Sequence, residues 1–231
     1  MRNILLVNDI PAKHVFKKEL SPTLLSHVHA GVLDGYELSN LAMRDIEFIG
    51  SYVGKRIRSQ LQNAAVEFSI EQRIHKFKLA VDIVQADNSV RTFPHYQFKF
   101  NSSMFTVSRT SRASSLPRTA IFRSKNAALN HQISFSISEN SFVHETTPSQ
   151  KMVTQNYFLL VHGGKTRPEF MRMGVPHPMM KNWLYQFDLM QVPILIQHDK
   201  VEREEITEKT LVSFKEKLIK REDVQGNGPQ G

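Results

Sequence analysis

Two groups of residues have types and spacings that could do chemistry. The first is Asp82 with the triplet Gln97-Phe98-Lys99. Restriction-type nucleases place an aspartate on one strand and a [DEQ]xK triplet on the next. The carboxylate holds a divalent cation, and the lysine stabilises charge or helps to activate water. Gln97 and Lys99 lie two apart, so on a strand they share a face. On that reading the cofactor is Mg or Mn, and Asp82, Gln97 and Lys99 are the catalytic set. The triplet carries Gln where Glu or Asp is commoner, and the nearest upstream acids, Glu67 and Glu71, have no evident place beside Asp82. A polar face on an amphipathic strand is the preferred reading, which assigns no cofactor and no metal.

The second group lies in YFLLVHGGKTRPEF, Tyr157 to Phe170. Gly164-Lys165-Thr166 matches the end of GxxxxGK[ST], in which two glycines let backbone N–H groups converge on phosphates before a helix begins. The first glycine would fall at Leu159, inside an apolar run, and Pro168 follows where the helix should be under way. The stretch reads as a hairpin: a strand Tyr157–His162, a turn at Gly163-Gly164-Lys165 and a strand Glu169–Val175. ATP or GTP binding through this turn is therefore not expected.

Other chemistry is thinner. The chain has no cysteine, which excludes disulfides, thiolate zinc sites and cysteine nucleophiles. Its ten histidines include no HExxH. His27 and His29 lie two apart on an expected helix and point to different faces. His162 closes an apolar strand and reads as a strand-end residue. There is no GxSxG elbow and no Ser/His/Asp arrangement to defend.

Charge is more informative. The net charge is +8, a balance that favours polyanionic partners. Between Asp87 and Glu139 there is no acidic residue, while Arg91, Lys99, Arg109, Arg112, Arg118, Arg123 and Lys125 all fall there. RTSRASSLPRTAIFRSK, Arg109 to Lys125, reads as a loop with at most one short helical turn. Its cations could contact phosphates without reading sequence, and Phe122 among them could stack on a base. The expected nucleic-acid site is Arg109, Arg112, Arg118, Phe122, Arg123 and Lys125. The alternative for the same residues is a solvated cationic loop.

The elements that must position these residues follow from periodicity. Ile4–Asp9 resembles the first strand of a receiver domain, but the helix and strand alternation such a domain needs does not follow. Ser21-Pro22 is a helix start, a capping hydroxyl before a proline at the first helical position. Leu24, Leu25, Val28, Val32 and Leu33 then share a face. A second helix is expected from Ser39, with Ala42, Ile46, Ile49, Val53, Ile57 and Leu61 at steps of three and four. Arg44, Asp45, Lys55, Arg56 and Arg58 occupy its other face. From Val66 the period becomes two and strands are expected, through Phe77–Val84, Tyr96–Phe100 and Phe105–Val107, with Ile133, Phe135 and Ile137 as a further strand. Glu202–Glu222 has the pattern of a charged amphipathic helix. QGNGPQG is not expected to pack. The expected fold class is α+β: N-terminal helices on an antiparallel β meander, with a C-terminal amphipathic helix. One domain spans 1–222, with a tail over 223–231.

The order of these elements resembles that of a loose group of small, uncharacterised proteins from bacterial prophages and mobile elements. A helical N-terminal part precedes a β hairpin, then a basic strand and loop of the type MFTVSRTSRASSLPRTAIF, then a hairpin like YFLLVHGG…EFMRMGVP. The resemblance covers Leu24 to Pro176. It implies a mobile-element context and carries no known activity.

No apolar run suits a signal peptide or a membrane span, so a cytoplasmic protein without membrane contact is expected. The expected function is that of a non-enzymatic accessory protein binding nucleic acid or a nucleoprotein partner through the basic Arg/Ser loop. A metal-dependent restriction-type nuclease and a protein–protein adaptor are the alternatives.

Overall fold

The computed structural model describes residues 9–87, 94–118, 120–133, 155–194 and 212. The helices are α1 (Asp9–Glu19), α2 (Pro22–Asp45), α3 (Glu47–Gly50), α4 (Arg58–Lys76) and α5 (Ile121–Ala127). The strands are β1 (Asp82–Asp87), β2 (Pro94–Phe100), β3 (Ser103–Arg109), β4 (Asn156–Gly164), β5 (Pro168–Pro176) and β6 (Trp183–Asp188). The fold class is α+β. The expected C-terminal helix and tail lie outside the described residues, apart from Val212, as do Phe135, Ile137 and Ile4–Asn8.

Among the described residues six strands form one sheet in chain order, β1 to β6. All neighbours pair antiparallel except β3 and β4, which run parallel with Ser103 opposite Asn156 and Arg109 opposite His162. The sheet is thus two antiparallel meanders joined at a parallel pair. Parallel neighbours need a long crossover, and the chain between Arg109 and Asn156 supplies it. Ile133, expected in a strand, is helical within that crossover.

Each face of the sheet has its own apolar layer. Phe98, Phe105, Phe158, Leu160, Met171 and Met173 pack against Phe16 of α1, Val28 and Val32 of α2, and Val66 and Ile70 of α4. On the other face Met104, Tyr157, Leu159 and Val161 pack with Ala127 of α5, Leu116 and Trp183. β4 is covered on both faces and is correspondingly an almost unbroken apolar run. This is why Leu159, where a phosphate-binding loop needs glycine, is fully buried in mid-strand.

α2 begins as its sequence dictates: Ser21 Oγ accepts from Leu24 N at 3.1 Å, with Pro22 in the first turn. The expected helix Ser39–Leu61 is not continuous. α2 ends at Asp45, and α3 and a 3-10 turn (Gly54–Ile57) bridge to α4. Ser51 interrupts the ladder by donating to Phe48 O at 2.6 Å and accepting from Gly54 N at 3.1 Å, the local competition that serine brings to a helix. Ala42, Ile49 and Leu61 still meet in one small cluster, which explains their spacing.

The expected strand from Val66 is helical to Lys76. Val66, Ile70 and Ile74 face the main core, while Leu61, Ala65 and Phe68 face the small cluster. Two stripes on one helix made Val66, Phe68 and Ile70 alternate like a strand. α4 lies very close to α2, since a Cβ on Gly35 would stand 2.5 Å from Val66 Cα.

In an open helix interior Gly35→Ala would stabilise the protein by about 1 kcal/mol. Here it is expected to destabilise, by about 1–3 kcal/mol, because the backbones of two helices must separate. Urea unfolding measures the sign, and a stabilised variant would show that the two helices are not held this closely.

Candidate nucleic-acid interface

Arg109 ends β3 with its side chain toward α4. Its guanidinium donates to Gln62 Oε1 at 3.0 Å, to Ser59 Oγ at 3.2 Å and to Gly164 O at 2.7 Å. The β4–β5 turn is thereby fastened to α4. Arg58 adds a bond to Lys165 O at 3.2 Å, Gln62 also donates to Lys165 O, and Asn40 of α2 donates to Thr166 O at 2.6 Å. The turn suits Gly164 alone: its φ is +143°, and a Cβ would strike the carbonyl of Arg167. Its carbonyls accept from side chains, leaving the side chains of Lys165 and Arg167 exposed. The stretch that resembles a phosphate loop is a clamped hairpin, as expected, but β4 runs on through Gly163 and Gly164 and the turn falls at Lys165–Arg167.

Behind the turn lies His162, fully buried in β4. Its Nδ1 is 3.2 Å from the Tyr36 hydroxyl of α2, and its Nε2 has no hydrogen-bond partner among the described residues. Burial, reinforced by the nearby Arg109 charge, lowers its pKa to about 3. Burial likewise raises Tyr36 to about 12. Both rings are therefore neutral near pH 7, and the pair fastens β4 to α2 without a charge.

The Arg/Ser segment leaves β3 and crosses the face of the sheet opposite α4. Thr110 N donates to His162 O at 2.9 Å. Gln186 and Trp183 of β6 donate to Ala113 O and Ser114 O, each at 3.2 Å, and Leu116 packs into the second apolar layer. The segment is thus pinned to the sheet. Arg112, Arg118 and Lys125 are exposed.

Arg109, Phe122 and Arg123 have inward partners instead. Phe122 stacks on His95 of β2 with centroids 3.9 Å apart, and the Arg123 guanidinium lies 4.8 Å from the Phe122 ring. Arg123 also donates to Arg118 O at 2.6 Å. Burial lowers the Arg123 pKa, and Tyr157 and Glu67 act in the opposite direction. The β2–β3 ladder runs only from Phe98–Phe105 to Phe100–Ser103. Beyond it Glu67 of α4 takes over, accepting from Tyr96 N at 3.2 Å and from Asn63 at 2.8 Å. Glu67 thus completes the sheet, a role that a lone carboxylate on an amphipathic helix does not announce in sequence.

Asp82 and Lys99 are direct cross-strand partners at the β1–β2 edge, both exposed, with half-buried Gln97 on the same face. The three do come together. Glu67 and Glu71 belong to α4, which packs on the opposite face, and no group of three or more His, Cys, Asp or Glu suited to a metal occurs among the described residues. Two basic groups went unremarked as sites in the sequence: Lys55, Arg56 and Arg58 at the break before α4, and Lys165 with Arg167 in the clamped turn. The first read as the polar face of a continuous helix. No family model, curated protein or solved structure matches the chain.

The neutral burial of His162 has a consequence for stability. Above about pH 6.5 neither folded nor unfolded chain protonates this ring. As pH falls below that value the unfolded chain binds a proton that the folded chain refuses until about pH 3. Stability is therefore lost on acidification through this window, by about 2 kcal/mol between pH 7 and 5. In His162→Gln that component is absent, so its stability deficit relative to the parent should shrink by this amount. Urea midpoints at both pH values measure it, and a deficit that stays constant would contradict the assignment.

Proposed function

We propose that this chain is a non-enzymatic accessory protein that binds nucleic acid, free or in a nucleoprotein, through the segment between β3 and α5. The observation that carries the reading is the placement of Arg112, Arg118 and Lys125. All are exposed; Trp183 and Gln186 hold the backbone next to Arg112 at Ser114 and Ala113, and Lys125 stands on α5. All three belong to a run, residues 88–138, that contains no acid.

A fixed backbone lowers the ordering cost of binding, and long flexible side chains on it suit phosphates better than base edges. Binding is then nearly independent of sequence and strongly dependent on salt. Arg109 and Arg123 act indirectly on this reading. Arg109 holds the end of β3, and Arg123 supports the loop through Arg118 O. A mobile-element setting fits such an accessory role. The nuclease alternative has Asp82 opposite Lys99, but no group of three or more His, Cys, Asp or Glu suited to a metal ion occurs among the described residues. No helix among the described residues is long and apolar enough to cross a membrane.

Replacing Arg112, Arg118 and Lys125 together by Ala should weaken binding to DNA of any sequence. It should flatten the plot of log affinity against log salt by about 2–3 units, each phosphate contact contributing about 0.7–0.9. Fluorescence anisotropy across a salt series gives the slope. A folded triple variant with the parent slope would remove this segment as the interface.

A further inference from the structure

The break between α2 and α4 leaves large apolar side chains in solvent. Phe48 is 67% exposed and Tyr52 83% exposed, with Val53 and Ile57 beside them. Two aromatic rings so exposed on one short segment cost the protein solvation without adding to its core. Their neighbours are basic. Lys55 and Arg56 are exposed on the same segment, and Arg58 begins α4. Through Arg58 and the Lys165 carbonyl, 3.2 Å apart, the clamped turn with Lys165 and Arg167 joins the same end of the molecule. The acids nearby are Asp45, held by Arg44 at 2.7 Å, and Glu47 and Glu169.

From this juxtaposition we propose that the α2–α4 break and the β4–β5 turn form a second surface, which takes single-stranded nucleic acid. Phe48 and Tyr52 stack on unpaired bases, while Lys55, Arg56, Lys165 and Arg167 meet the phosphates. The inference rests on the nucleic-acid reading above and adds strand type to it. Charge complementarity selects a polyanion. Rings interleaved with cations are what a single strand offers partners for, since its bases present open faces and a duplex hides them. A bilayer is the poorer fit, because insertion needs an apolar face reaching about 5–10 Å into the headgroup boundary, and α3 has only four residues.

The test compares labelled oligothymidine, a duplex of equal length and anionic phospholipid vesicles, using the parent, Tyr52→Ala, Phe48→Ala, the double variant and Tyr52→Trp. Both rings are exposed, so circular dichroism and the urea midpoint should stay at parent values. The double variant should bind oligothymidine at least about 10-fold more weakly, with duplex affinity within about 2-fold of the parent. Tyr52→Trp should keep the parent affinity and show quenched tryptophan emission with oligothymidine. Unchanged oligothymidine affinity in the double variant, or a loss confined to vesicle binding, would overturn the inference and leave the β3–α5 interface standing. Absence of binding to either nucleic acid by the parent at low salt would overturn both.

Discussion

One guanidinium ties together the parts of this molecule that matter for its surface. Arg109 stands where parallel strands β3 and β4 end, and it donates at once to α4 and to the carbonyl of Gly164. Arginine suits the position because its planar fork satisfies several acceptors without reorientation. The consequences spread outward. The β4–β5 turn is fixed against α4, so its cations face solvent. The end of β3 is fixed, so the basic segment leaves the sheet from a defined point. Burial keeps the His162 imidazole neutral, and the Arg109 charge beside it acts in the same direction.

The interior shows the same preference for polar groups that hold geometry. Glu67 continues the edge of β2 where pairing with β3 stops, and Arg123 approaches from the loop side. Asn130 bonds to Tyr157 N and O and to Pro176 O, each at 2.9 Å, which fastens the crossover to β4 and β5. Buried groups of this kind add little net stability but are costly to leave unpaired, so they select one arrangement over its near neighbours. A cationic surface needs that selection, because like charges brought together oppose folding.

Much of the architecture was legible in the sequence. Ser21-Pro22 marked the start of α2, and the two glycines and Pro168 marked the β4–β5 hairpin, because both signals are local. The failures have tertiary causes. α4 buries two faces in two clusters, and so its pattern passed for a strand. The parallel β3–β4 pair depends on a crossover whose length and path no local pattern specifies. Of the expected site, the exposed Arg112, Arg118 and Lys125 were legible as charge without acid. The inward turn of Arg109, Phe122 and Arg123 was not, since composition does not distinguish a guanidinium in solvent from one that spends its donors on Gln62 and Gly164.

The stability of Arg109→Lys tests most directly whether this fork organises the molecule. Lysine keeps the charge but loses the fork, so Gly164 O and the Gln62 side chain cannot both be served. Urea unfolding at pH 7 should show a loss of about 1.5–3 kcal/mol, the range for hydrogen bonds to a charged group. A loss below about 0.5 kcal/mol, as for an ordinary surface substitution, would contradict it.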